Sequence, residues 1–204
     1  MTNLFIVSAP SGSGKSTLLR GLFQRARDLV FSVSYTTRAP RGLERDGADY
    51  FFVSRADFEE QIGRGEFLEW AEVFGHLYGT HRRFLDEARA AGRDLILDID
   101  VQGARQLQQQ FPEAVSIFIL PPSRDELEKR LRARGEDSDE VIARRLRGAE
   151  AEIRRYDAYD YVIVNRDVDE ATDWLASILK AERRRRANVE EEVQEILTGF
   201  AEPG

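Results

Sequence analysis

Cysteine is absent from this 204-residue chain, which excludes disulfides, a thiolate nucleophile and any thiolate-held zinc or iron–sulfur cluster. A bound metal must therefore use oxygen or imidazole. Long apolar runs are missing too. Stretches such as Val115 to Leu120 are strand-sized, far below the roughly 20 residues needed to cross a bilayer. The N-terminal Met1-Thr-Asn-Leu-Phe-Ile-Val-Ser8 has neither the basic segment nor the cleavage site of a secretory signal, which predicts a cytoplasmic protein without membrane association. Positive charge is in deficit, 30 Lys and Arg against 37 Asp and Glu for a net −7, which argues against broad nucleic-acid binding. Internal repeats and low-complexity linkers are lacking. The length fits one sizeable domain with appendages.

What is present is a strand–loop–helix opening. Leu4 to Val7 is a short apolar run, and Leu18, Leu19, Leu22 and Phe23 then recur at helical spacing. Later apolar runs at Leu95 to Ile99, Val115 to Leu120 and Tyr161 to Val164 are each followed by a helical pattern, near Ala104 to Phe111, Ser123 to Arg134 and Asp169 to Ala181. Such alternation predicts an α/β core, a parallel sheet with helices on both faces. Two stretches interrupt it. Phe31 to Tyr78 is rich in aromatic and β-favouring residues, with a helix that Ser54 and Asp57 are placed to cap, and reads as a small α+β insertion. Pro121 to Tyr156 holds two charged helices around Gly135-Glu-Asp-Ser-Asp139 and reads as a helical lid. In the tail, Val189, Val193, Ile196 and Phe200 make one helical stripe. That stripe needs cover from the core or from another subunit, which would make a homo-oligomer.

Ala9-Pro-Ser-Gly-Ser-Gly-Lys-Ser-Thr17 lies between the first strand and helix. In the pattern G-x-x-x-x-G-K-[ST], backbone N–H groups cradle phosphate oxygens, the lysine reaches the terminal phosphates and the hydroxyl binds Mg²⁺. Gly14, Lys15 and Ser16 fill the last three places, while Ala9 stands where the first glycine belongs. A P-loop names no reaction by itself. A GTPase would carry N-K-x-D after a later strand, and Asn165-Arg166-Asp167-Val168 is not that pattern.

Within Ser34-Tyr-Thr-Thr-Arg-Ala-Pro-Arg41, Arg38 and Arg41 lie three apart around a stiffening proline, either a second phosphate site or a solvated turn. His76 and His81 are five apart and make no convincing metal pair. The Arg183 to Arg186 run reads as solvation of a helix end.

Asp49-Tyr-Phe-Phe-Val53, Glu66-Phe-Leu-Glu-Trp70, Tyr78-Gly-Thr80 and Leu97-Asp-Ile-Asp-Val-Gln-Gly103 complete a set that, with the P-loop, closely resembles guanylate kinase from about Leu4 to Lys180. The resemblance implies the P-loop nucleoside-monophosphate-kinase fold over residues 1–182, with a GMP-binding insertion at about 34–82 and a lid at about 122–156, followed by a helical tail at 183–204. It implies transfer of a phosphoryl group from ATP to GMP with Mg²⁺. By position, Ala9, Pro10, Ser11, Gly12, Ser13, Gly14, Lys15, Ser16, Thr17 and Asn165 fall to ATP. Arg38, Arg41, Tyr50 and Tyr78 fall to the GMP phosphate, and Ser34, Glu69, Thr80 and Asp100 to guanine. Ser16 and Asp98 fall to Mg²⁺, Asp98 directly or through water. Lys15, Arg38, Arg134 and Arg145 fall to catalysis, with Arg130 a further candidate. The guanine assignment agrees with chemistry: carboxylates accept from N1–H and the 2-amino group, neither of which adenine offers. The rival expectation, a related module that binds protein without catalysis, would show an eroded P-loop and lost phosphate arginines, and these residues are all present.

Overall fold

The computed structural model describes residues 2–73, 75–133 and 138–200. In chain order its strands are β1 (Leu4–Ser8), β2 (Leu29–Ser32), β3 (Tyr35–Thr36), β4 (Phe51–Phe52), β5 (Phe67–Val73), β6 (His76–His81), β7 (Asp94–Asp98), β8 (Val115–Leu120) and β9 (Tyr161–Val164). Its α-helices are α1 (Lys15–Arg25), α2 (Arg55–Gly63), α3 (Arg83–Ala91), α4 (Val101–Gln110), α5 (Arg124–Ala133), α6 (Asp139–Ile153), α7 (Val168–Glu182) and α8 (Arg186–Phe200).

β1 shows why the core is a two-faced parallel sheet. All five of its residues are buried, and they alternate. Leu4 and Ile6 join Ala88, Leu95, Leu97 and Leu107 on one face, while Phe5 and Val7 join Leu18, Leu22, Ile117 and Leu175 on the other. A strand covered on both sides reads as a continuous apolar run. The sheet order is β2-β7-β1-β8-β9, parallel throughout. With β1 central and successive connections diverging from it, the carboxyl ends of β1 and β7 border the crevice where open α/β sheets bind ligands.

A second sheet, ordered β4-β3-β6-β5, is built between Tyr35 and His81. α2 starts where the sequence indicates: the Ser54 hydroxyl accepts from Asp57 N at 3.1 Å. A β-bulge lies between Phe67 and Glu69, and Phe67, Leu68 and Glu69 are buried in succession. The irregularity turns a carboxylate inward. α5 and α6 bury Leu127, Leu131, Ile142, Leu146 and Ala149 in a small cluster of their own.

Three findings differ from the sequence reading. β2 and α3 were not foreseen. The Arg183 to Arg186 run does more than solvate, since Arg183 Nε donates to the buried Asp94 carboxylate at 2.6 Å. α8 is helical as expected but buries no residue, and its Val193, Ile196 and Phe200 are 41%, 54% and 81% exposed. The stripe is not covered by the core. Among the described residues, no helix is long and apolar enough to cross a membrane.

Candidate active site

The loop after β1 turns through Gly12 and Gly14, both at φ 94°, a left-handed geometry that favours glycine. Gly14 is the N-cap of α1 and no side chain caps that helix, so its first N–H groups are available to an anion. Ala9 packs against the core. Asp28 is the one non-glycine with positive φ among the described residues, so alanine fits the first loop position without backbone strain. Lys15 Nζ forms an ion pair with Asp98 and donates to the Ile99 carbonyl at 3.2 Å. Asp98 and Val7 are register partners, which is how the ends of β7 and β1 bring acid and lysine together.

Behind the loop, Asn165 is 1% exposed. Its Nδ2 donates to the Ser13 carbonyl at 2.8 Å, and its Oδ1 is buried without a protein partner. Arg130 Nη1 reaches the same carbonyl at 3.3 Å, and its Nη2 reaches the Asn165 carbonyl at 3.2 Å.

On the second sheet, Arg38 is only 7% exposed. Its Nε donates to Tyr78 Oη at 3.2 Å, its Nη1 to the Ala39 carbonyl at 2.7 Å and its Nη2 to Glu44 at 2.9 Å, and its guanidinium lies 5.2 Å from the Tyr50 ring centre. Glu44 also accepts from Arg41 N at 2.8 Å, so one carboxylate faces both arginines. Its pairing with Arg38 holds its pKa below the ordinary carboxylate value. Sequence reasoning missed Glu44, although its place three residues after Arg41 was a signal.

Glu69 on β5 sits opposite Thr80 on β6, and Thr80 Oγ1 donates to Glu69 Oε1 at 2.7 Å. Glu69 is 4% exposed. Burial, with a smaller contribution from the Asp100 charge, pushes its pKa up to about 7 despite the Thr80 hydrogen bond. Asp100 caps α4 by accepting from Gln102 N at 3.1 Å and Gly103 N at 2.9 Å, which starts that helix earlier than its apolar spacing indicates.

A cavity of about 280 Å³ joins the two sides. Ser11 and Lys15 from the loop, Asp98 and Asp100 from the core, Ser34, Arg41, Tyr50, Glu69 and Tyr78 from the second sheet and its flanks, and Arg145 from α6 all line it. Ser16 and Thr17 stand exposed at the start of α1, outside that lining. Arg38 and Thr80 sit behind it, touching Tyr78 and Glu69. Arg134, expected among the catalytic residues, lies outside the described residues. His76 lines the cavity too, and no group of three or more His, Cys, Asp or Glu able to hold a metal occurs among the described residues.

A phosphate loop, a buried carboxylate and a fixed arginine around one cavity, on a parallel sheet with helices on both faces, define a P-loop kinase of the nucleoside-monophosphate type. The comparisons are narrower. A family model described as "Guanylate kinase" matches residues 1–182. The chain is 55% identical over 195 residues to a guanylate kinase of Geobacter sulfurreducens, with 96% of each covered. It is 54% identical over 188 residues to one of Aromatoleum aromaticum, with 92% of each covered. The crystal structure of guanylate kinase from Anaplasma phagocytophilum superposes with a TM-score of 0.73 at 38% identity, over 93% of this chain and 94% of that one. The chain belongs to the guanylate kinase family.

Proposed function

We propose that the protein transfers the γ-phosphoryl group of ATP to GMP, giving ADP and GDP. The observation that carries this reading is the Glu69 carboxylate, buried beside Thr80 and lining the same cavity as Lys15. An ionised carboxylate accepts from the N1–H and 2-amino donors of guanine, whereas adenine presents an acceptor at N1 and no amino group at C2. A site built to pair such donors discriminates by about 10⁴ against a partner lacking them.

Arg38, Arg41, Tyr50 and Tyr78 take the GMP phosphate, and Glu69, Thr80, Ser34 and Asp100 take the base. The P-loop from Ala9 to Thr17, backed by Asn165, takes the ATP phosphates. The GMP phosphate and the ATP polyphosphate repel when drawn together, by roughly 3 kcal/mol per unit-charge pair at 5 Å and an effective dielectric of 20. Lys15, Arg38, Arg145 and Arg134 oppose that repulsion as transfer proceeds, so positioning and fixed charge supply the rate and no covalent enzyme intermediate is needed. Lys15 exchanges Asp98 for phosphate when ATP binds. α5 and α6 form the lid, delivering Arg145 from above and excluding water.

The donor set fits Mg²⁺. Ser16 offers a hydroxyl at the exposed start of α1 and Asp98 a carboxylate beside Lys15. An ion that arrives on nucleotide phosphates requires only one or two hard oxygens from the protein. Held by Ser16 and Asp98, it would neutralise charge on the β- and γ-phosphates.

Incubation with Mg-ATP and a panel of GMP, dGMP, AMP, UMP and CMP tests the reading through ADP release. Turnover of GMP and dGMP alone is expected. Equal turnover of AMP, or none of GMP, would sink it.

A further inference from the structure

Gly103 occupies the first turn of α4, and its backbone φ is not positive. Nothing in its own conformation calls for glycine. In a helix glycine is less favourable than alanine by about 1 kcal/mol, so its presence needs another account, and its surroundings give one. A Cβ built there would overlap Glu69 Oε2, stand 2.9 Å from Glu69 Cδ and lie 3.5 Å from Asp100 Oδ1. The carboxylate oxygen fills the space a side chain would take. On its other side, Oε1 is tied to Thr80 Oγ1 at 2.7 Å. The Glu69 backbone is held in the β5–β6 ladder, paired with Thr80. A carboxylate displaced from Gly103 is pushed away from α4, toward the cavity that Glu69 lines.

We propose that Gly103 is a specificity-positioning residue whose missing side chain forms the seat that holds the Glu69 carboxylate at the guanine edge. This rests on the GMP-kinase reading above. Gly103 touches no reacting atom, and it acts through Glu69. The methyl group of an alanine would press the carboxylate into the space of the base, so GMP use falls while ATP use, handled at the P-loop, does not.

The test compares Gly103→Ala with Gly199→Ala, a control in α8 where an added Cβ meets nothing within 4 Å. Gly103→Ala is expected to lower kcat/KM for GMP by roughly 10²-fold, the scale of a 1 Å misplacement in a site. It should also narrow the preference for GMP over AMP and leave KM for ATP within about twofold. Glu69→Asp supplies the second arm by withdrawing the carboxylate one methylene from Gly103. In that background, adding Gly103→Ala should change GMP use by no more than about threefold, because contacting residues are non-additive. Should Gly103→Ala fail to fold, refolding in the double variant would support the clash, and failure of both would overturn it. Unchanged GMP use in Gly103→Ala, or costs that multiply in the double variant, would likewise overturn the seat. A wild-type protein inactive on GMP would defeat the parent reading instead, so the two failures are separable.

Discussion

Asn165 Nδ2 donates to the Ser13 carbonyl at 2.8 Å, joining positions 152 residues apart in sequence. The contact ties the end of β9 to the underside of the phosphate loop. A Cβ on Gly14 would overlap the same Nδ2, so amide and loop are fitted to one another.

Asn165→Asp puts an acceptor where the Ser13 carbonyl needs a donor. The Ser13 carbonyl then keeps only the longer Arg130 contact at 3.3 Å and faces a second acceptor, a buried mismatch that costs about 1–3 kcal/mol and that urea unfolding should register. Initial rates should show a raised KM for ATP with KM for GMP preserved. A parallel rise in both would contradict a clamp specific to the P-loop.

Lys15→Ala removes the cation paired with Asp98. Loss of one preorganised donor to developing charge lowers kcat by about 10²–10³. GMP binding by calorimetry should be nearly unaffected. Near-normal kcat would remove Lys15 from the transfer step.

Arg38→Lys keeps the charge and discards the fork that serves Tyr78, Ala39 and Glu44. Charge-assisted hydrogen bonds contribute about 1.5–3 kcal/mol. KM for GMP is therefore expected to rise roughly 10- to 100-fold with KM for ATP unchanged, and equal shifts in the two would count against a role at the acceptor phosphate.

Burial raises the Glu69 pKa to about 7 from 4.5, so the ligand-free fold favours the neutral acid. The stability this confers is complete below the unfolded value near 4.5 and is lost as pH rises through about 7. On the proposed reading, guanine binds the ionised form. GMP binding should therefore release a proton near neutrality and weaken as pH falls from 8 to 6. Calorimetry in buffers of different ionisation enthalpy measures that release. Glu69→Gln should abolish the portion beyond the phosphate's own titration, and an unchanged release would contradict the assignment. Glu152, also raised to about 7 by burial, shares the stability trend, so Glu69→Gln should flatten it only in part.

Excess EDTA should stop transfer while leaving GMP binding intact, and added Mg²⁺ should restore it. Full turnover in EDTA would contradict the oxygen site proposed for Ser16 and Asp98.

The P-loop was legible because its nine contiguous residues carry turn and helix start directly after an apolar strand. β1, β7 and β8 were legible because burial on both faces demands unbroken apolar runs. β2 is four residues with only Ser32 fully buried, too short and too mixed to stand out. α3 did carry a signal, Phe84, Leu85 and Ala88 on one face, hidden by its position directly after the second sheet. Ala9 broke a pattern that only a backbone dihedral could excuse. Gly103 and Glu69 are 34 residues apart, and a vacancy on one that accommodates the other leaves no mark in a linear reading.

The base end of the cavity draws on both sheets. Glu69 and Thr80 come from β5 and β6, whereas Asp100 begins α4 on the core. Under the proposed reading, a guanine lodged between them would be a strut between two sheets that already share one apolar cluster, so how tightly it is read and how firmly the sheets are held would be one mechanical quantity. A purine that satisfies one side alone would fill the pocket without bracing it.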